Sequence, residues 1–161
     1  MPHVKSSPTP LRSLLALTGL IFVTFCASLA GMFSPPGDWY ASLANPSWNP
    51  PPWIFGPVWT ALYLTMAIAA WLVWKRVGWQ RPLWLYFTQL VLNAAWTPVF
   101  FGVHELGWAL VEIIALWVAI LFAVVAFVRV SKAAGWMLVP YLRWVSFAAF
   151  LNFTLWRMNP G

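Results

Sequence analysis

Four polar side chains recur along one apolar stretch and are the best candidates for chemistry in this sequence. They are Tyr86, Gln89, Asn93 and Thr97. Their intervals of three and four residues place them on one face of a helix. Because unpaired polar groups are costly in hydrocarbon, this face must look towards other helices or towards a cavity. The pattern predicts either hydrogen bonds between helices or the polar wall of a ligand pocket.

Large aromatic rings and small alanines share one face on each of two further apolar stretches. The first face carries Trp59, Tyr63, Ala70 and Trp74, and the second carries Tyr141, Trp144, Ala148 and Leu151. Such faces are typical of helix packing. The number of large rings also fits a flat, apolar cavity between the helices.

Glu112 is the only acidic residue inside an apolar stretch, which makes it a functional candidate. Its alternatives are a protonated side chain or a pair with Arg143. The sequence contains no glycine-rich phosphate loop, no paired acids and no histidine cluster. Its single cysteine, Cys26, excludes an intramolecular disulfide. We therefore expect no metal site and no required cofactor.

The amino-acid composition indicates whether the helices that carry these residues lie in water or in lipid. The chain has 161 residues, 62% of them hydrophobic and only 7% charged, and its mean hydropathy is +0.76. A soluble domain carries about 25% charged residues, and a disordered chain is far less hydrophobic. The composition predicts one all-α, polytopic membrane domain over residues 1–161, with the lipid bilayer as its partner. The net charge of +6 then reflects topology, and we expect no nucleic-acid partner.

Five apolar runs are long enough to cross about 30 Å of hydrocarbon. They lie at residues 11–33, 55–75, 82–101, 106–128 and 134–156. Between the first two runs, residues 34–52 are rich in proline and tryptophan, and three consecutive prolines exclude regular helix there. This segment predicts a stiff lid over the mouth of the bundle, or a rigid connector.

Basic residues predict the orientation of the bundle. Seven of the nine lie in the N-terminal segment and in the second and fourth loops, on one side of the predicted bundle. The positive-inside rule places the N-terminus in the cytoplasm and the C-terminus on the opposite side. For a bacterial source we expect the inner membrane. Alternatively, the first run and Ser28-Leu29-Ala30-Gly31 resemble a cleavable signal peptide, which would leave four spans.

Several motifs, in order between Trp39 and Asn159, resemble the translocator protein family. This is the peripheral benzodiazepine receptor family, known in bacteria as tryptophan-rich sensory proteins. The motifs are Asn45-Pro46-Ser47-Trp48-Asn49-Pro50-Pro51, Gly56-Pro57-Val58-Trp59, Phe100-Phe101-Gly102, Gly107-Trp108-Ala109-Leu110 and Leu151-Asn152-Phe153.

The resemblance implies a five-helix bundle, commonly a homodimer, whose lidded cavity binds protoporphyrin IX and haem as ligands. Benzodiazepine-type ligands share that cavity, and sterols bind some members, although Phe153 stands where the family's sterol motif has tyrosine. By similarity, the cavity residues are Trp48, Trp53, Phe55, Trp59, Tyr63, Asn93, Trp96, Trp108, Trp144, Ala148 and Leu151.

A sensor or transporter-like porphyrin binder is the function that this resemblance favours. The alternative is an enzyme that degrades porphyrin with light and oxygen. Trp53 and Trp144 would then be the redox-active, catalytic candidates.

Overall fold

A computed structural model describes residues 8–29, 33 and 37–160, and all regular secondary structure in these ranges is helical. The helices are α1 (Pro10–Cys26), α2 (Asp38–Ser42), α3 (Phe55–Val77), α4 (Arg81–Thr97), α5 (Leu106–Val130) and α6 (Lys132–Met158). A short 3₁₀ turn, Pro52–Ile54, leads into α3, and a π-helical segment, Pro98–Gly102, follows α4.

The predicted spans correspond to α1 and α3–α6. Length and apolar composition suffice to cross a membrane in three cases: Pro52–Val77, Leu106–Val130 and Lys132–Met158. The predicted all-helical class is therefore confirmed for the described residues, and the three long apolar helices are consistent with a membrane protein. The remaining two helices, α1 and α4, have 17 residues each.

Two predicted spans extend several residues past the C-terminal ends of their helices. After Cys26 the chain turns, and the Ser28 hydroxyl donates to the Phe25 carbonyl at 2.6 Å, a local bond that competes with helix continuation. Residues 30–32 and 34–36 lie outside the described residues; they include the end of the predicted first span, part of the signal-peptide motif and the start of the predicted lid. At the other site α4 ends at Thr97, because Pro98 has no N–H to continue the α-helical ladder.

Packing brings five helices around one interior. Helix α5 packs against both α4 and α6, and α3 packs against α1 and α6. The inward faces bury both small and large residues, including Met66, Ala70, Tyr86, Ile120 and Phe127. The predicted inward face of the third span is confirmed, since Tyr86, Gln89 and Asn93 are buried and Thr97 lines the cavity between the helices.

The tight turn between α5 and α6 depends on two small residues. Ser131 is buried, and its hydroxyl accepts a hydrogen bond of 3.4 Å from the Ala134 amide, so it caps α6. Gly135 lies directly against Val128 of α5. This turn places the two longest helices side by side.

Candidate functional site

A cavity of about 540 Å³ lies between the helices, beneath the segment that connects α1 to α3. Its wall receives residues from α3, α4, α5 and α6, and its cover includes Tyr40, Ala41, Asn49, Pro50 and Pro52. We call the described part of this cover, residues 37–54, the lid. The volume falls within the range of about 300–1,000 Å³ that is usual for small-molecule pockets.

Eight of the eleven cavity residues suggested by the sequence line this cavity. They are Phe55, Trp59, Tyr63, Asn93, Trp96, Trp144, Ala148 and Leu151. Helical spacing explains their convergence: Trp59 and Tyr63 are four residues apart on α3, and Trp144, Ala148 and Leu151 follow the same rule on α6.

The structure does not place the other three residues in the cavity wall. Trp48 covers the outside of α6, where its ring stacks on Phe150 with centroids 5.3 Å apart. Trp53 is 73% exposed, because the Pro52–Ile54 turn directs it away from the bundle. Trp108 is 68% exposed, since its neighbour Ala109 occupies the buried face of α5.

Aromatic rings form most of the cavity wall near the lid. Trp59 stacks on Tyr63 with ring centroids 5.3 Å apart, and Trp144 meets Phe55 edge-on at 5.9 Å. Phe147 lies 5.6 Å from Trp144, one turn along α6. Such an arrangement offers flat apolar surfaces and ring edges to a planar ligand. Phe147 was not among the cavity residues suggested by the sequence, although the sequence did predict that the adjoining helix face, with Trp144 and Ala148, points inward.

A chain of hydrogen bonds crosses the inner end of the cavity. The Tyr63 hydroxyl donates to Asn93 Oδ1 at 2.8 Å, Asn93 Nδ2 donates to the Tyr141 hydroxyl at 3.0 Å, and that hydroxyl donates to Gln89 Oε1 at 2.8 Å. The polar face of α4 therefore serves both predicted purposes: it forms hydrogen bonds between helices, and it contributes a polar group to the cavity wall. Gln89 bonds between helices, while Asn93 bonds between helices and also lines the cavity.

Besides the stacking of Trp48 on Phe150, the lid is held at two further places. Asn159 Oδ1 accepts from the Ala44 amide at 2.8 Å, and Asn159 Nδ2 donates to the Ala44 carbonyl at 3.1 Å. At the other place the Trp39 ring stacks on His104, with centroids 4.2 Å apart. His104 has a positive φ of 63°, which is uncommon for a residue other than glycine. The sequence carried no spacing signal for either contact, because the partners are far apart in the chain.

Glu112 and Arg143 do not form the pair considered from the sequence. Both carboxylate oxygens of Glu112 are buried without a hydrogen-bond partner among the described residues. Glu112 and Trp108 contribute instead to a shallow outer groove, away from the main cavity. Arg143 is exposed on α6, and it does not contribute to the described cavity wall.

These features define an integral membrane protein of the all-helical class, with an aromatic cavity beneath a proline-rich lid. The chain belongs to the TspO/MBR family, whose sequence model matches residues 16–157.

Named relatives extend across bacteria and animals. The "Tryptophan-rich protein TspO" of Chlorobaculum tepidum is 43% identical, with 92% of this chain and 99% of the relative covered. The "Translocator protein" of Homo sapiens is 46% identical, with 76% of each chain covered. The "Tryptophan-rich sensory protein" of Cereibacter sphaeroides is 38% identical, with 86% of this chain and 91% of the relative covered. The family resemblance read from the motifs is thereby confirmed.

Proposed function

We propose that this protein binds a planar tetrapyrrole, with protoporphyrin IX or haem as the ligand, and acts as a membrane sensor or transporter-like protein. The observation that carries the proposal is the cavity of about 540 Å³ with its aromatic wall. Membership of a family whose members are named translocator and sensory proteins supports the same function. The tetrapyrrole is a ligand in this proposal, and no further cofactor is required.

The ligand would lie between the stacked pair Trp59 and Tyr63 on α3 and Trp144 on α6. Burial of a large flat ring system against these side chains removes apolar surface from water, at roughly 25 cal/mol per Å². Aromatic contacts add a preference for stacked and edge-on geometry. Sterols and benzodiazepine-type molecules are weaker candidates for the same cavity. No residue in the described wall offers either of them a contact that a tetrapyrrole would lack.

The proposed topology has five spans, with the N-terminus in the cytoplasm and the protein in the bacterial inner membrane as a homodimer. The distribution of charge supports the proposed orientation. Lys75 and Arg76 end α3, Arg81 begins α4, Arg129 lies in the last turn of α5 and Lys132 begins α6, so these side chains collect at one end of the bundle. The lid lies at the opposite end and would open towards the outer side.

Tryptophan-fluorescence quenching by protoporphyrin IX, in detergent and in the dark, tests the proposal. We expect saturable quenching for the wild type and at least tenfold weaker affinity for Trp144→Ala. The matched control is Trp84→Ala, which removes an exposed tryptophan that does not contribute to the described cavity wall. Quenching that is linear in ligand, or equal losses for both variants, would contradict binding in the cavity.

Illumination of the same sample tests the degradation alternative. Trp144 lines the cavity, whereas the other redox candidate, Trp53, is 73% exposed. We expect the absorbance spectrum of the bound pigment to stay unchanged under light and oxygen. Turnover of the pigment that disappears in Trp144→Phe would show that the protein is an enzyme.

A further inference from the structure

The described wall of the cavity carries no formal charge, although it contains several polar groups. Transfer of an ionised carboxylate into an apolar cavity without a paired cation is strongly unfavourable. Any part of a ligand that enters the cavity must therefore be uncharged.

Polar groups at the inner end of the cavity already bind one another. Tyr63, Asn93 and Tyr141 are joined by hydrogen bonds of 2.8 and 3.0 Å. A ligand that used Asn93 would have to compete with these bonds. Asn93, which the sequence suggested as a ligand contact, is thus better suited to hold α3, α4 and α6 together.

Three residues that line the cavity each have a buried polar atom without a partner among the described residues: Oδ1 of Asn49 in the lid, and Nε1 of Trp96 and Oδ1 of Asn152 in the bundle. Asn152 is only 1% exposed, and its Nδ2 donates to the Leu106 carbonyl at 2.9 Å. That bond fixes which amide atom stays free. A buried donor and a buried acceptor without partners are costly, and a ligand that pairs with both recovers this cost.

Trp96 and Asn152 adjoin the same apolar cluster near the lid. Trp96 packs against Phe100, with ring centroids 4.9 Å apart. Phe100 belongs to one buried cluster with Leu151 and Leu155, which flank Asn152 on α6. Trp96 and Asn152 therefore lie near the same end of the cavity.

We propose that Trp96 and Asn152 form the polar subsite for the ligand, and that this subsite selects an uncharged carboxamide or un-ionised carboxylic acid. The indole N–H would donate to the carbonyl oxygen of that group, and its N–H or O–H would donate to Asn152 Oδ1. A carboxylate has no donor for Asn152, and an ester has only the acceptor for Trp96. This inference rests on the proposed function, since it concerns the same cavity.

Three probes that differ only at their side-chain ends test the subsite: protoporphyrin IX, its dimethyl ester and its diamide. Absorbance titration in the dark, at pH 8, measures each affinity. We expect the diamide to bind most tightly, the ester about 3- to 10-fold more weakly, and the ionised diacid most weakly.

Two variants separate the donor from the acceptor. Trp96→Phe keeps an aromatic ring but removes the N–H, and we expect it to weaken the diamide and the ester by about 3- to 10-fold. Asn152→Leu should weaken the diamide and leave the ester unchanged. The matched control is Trp117→Phe, because the Trp117 N–H donates to Ser146 outside the cavity wall.

The outcomes distinguish this inference from the proposed function. Equal affinities for the three probes, or full diamide affinity in Trp96→Phe, would overturn the subsite and leave tetrapyrrole binding intact. Absence of saturable binding for every probe would overturn the proposed function and the subsite with it. Trp96→Phe also covers the case in which Asn152→Leu fails to fold, since it breaks no hydrogen bond among the described residues.

Discussion

Tyr141 donates its hydroxyl hydrogen to Oε1 of Gln89 over 2.8 Å, and this bond ties α6 to α4 inside the bundle. The same hydroxyl accepts a hydrogen bond of 3.0 Å from Nδ2 of Asn93. All three side chains are buried. One phenol oxygen therefore pairs with Oε1 of Gln89 and with Nδ2 of Asn93.

Tyr141→Phe should destabilise the protein by about 1–3 kcal/mol, because it leaves a buried acceptor on Gln89 and a buried donor on Asn93 unpaired. Thermal unfolding in detergent measures the loss. Tyr40→Phe is the control, since Asn49 donates to the Tyr40 hydroxyl over a long 3.4 Å and has a second partner in Asn45. We expect the control to lose less than about 0.5 kcal/mol. Equal losses would contradict this account of the interior.

A second prediction concerns the attachment of α1 to the bundle. Thr24 Oγ1 donates to the Leu20 carbonyl, and the Tyr86 hydroxyl donates in turn to Thr24 Oγ1, each at 2.6 Å. Thr24→Val keeps the shape of the side chain but removes the acceptor for Tyr86. We expect a loss of about 1–2 kcal/mol in the free energy of unfolding.

The same helix supplies a matched control for this substitution. Thr18 is exposed, and its hydroxyl bonds only to carbonyls of its own helix. Thr18→Val should change stability by less than about 0.5 kcal/mol, as surface substitutions usually do. If Thr18→Val cost as much as Thr24→Val, the bond to Tyr86 would contribute nothing.

Periodicity explains which parts of the site could be predicted from the sequence. Tyr86, Gln89 and Asn93 repeat at helical spacing, so burial of one implies burial of the others. The same argument brought Trp59, Tyr63 and Trp144 towards a common interior. It could not place Trp53, because the direction of a side chain in the Pro52–Ile54 turn follows no helical period.

Contacts between distant residues could not be predicted from one sequence. Asn159 and Ala44 are 115 positions apart, and their hydrogen bonds depend on where the lid meets the end of α6. The prediction that Trp108 lines the cavity was wrong for a different reason. Nearly every residue of α5 is apolar, so its pattern does not distinguish the buried face at Ala109 from the exposed face.

A third prediction concerns ligand exchange. Asn159→Ala removes both hydrogen bonds to Ala44, so the lid should detach more easily and bound tetrapyrrole should dissociate about 3- to 10-fold faster. Stopped-flow recovery of tryptophan fluorescence, on dilution into a competing apolar phase, measures that rate. Thr154→Val is the control, because the exposed Thr154 hydroxyl bonds only to the Phe150 carbonyl of its own helix. An unchanged dissociation rate in Asn159→Ala would show that this contact does not hold the lid over the ligand.

The last prediction concerns Gly135, which permits the close approach of α5 and α6. A Cβ at this position would clash with the Val128 side chain and would lie 2.8 Å from the Val128 backbone nitrogen and 2.9 Å from its Cα. Backbone atoms cannot rotate away, so Gly135→Ala must push the two helices apart and should cost about 1–3 kcal/mol. Gly19→Ala on α1 is the matched control, since its Cβ would meet nothing within 4 Å. Because alanine favours helix over glycine, we expect that control to gain up to about 1 kcal/mol. Thermal unfolding of both variants in the same detergent measures the difference. If Gly135→Ala stabilised the protein, α5 and α6 would not pack as closely as described here.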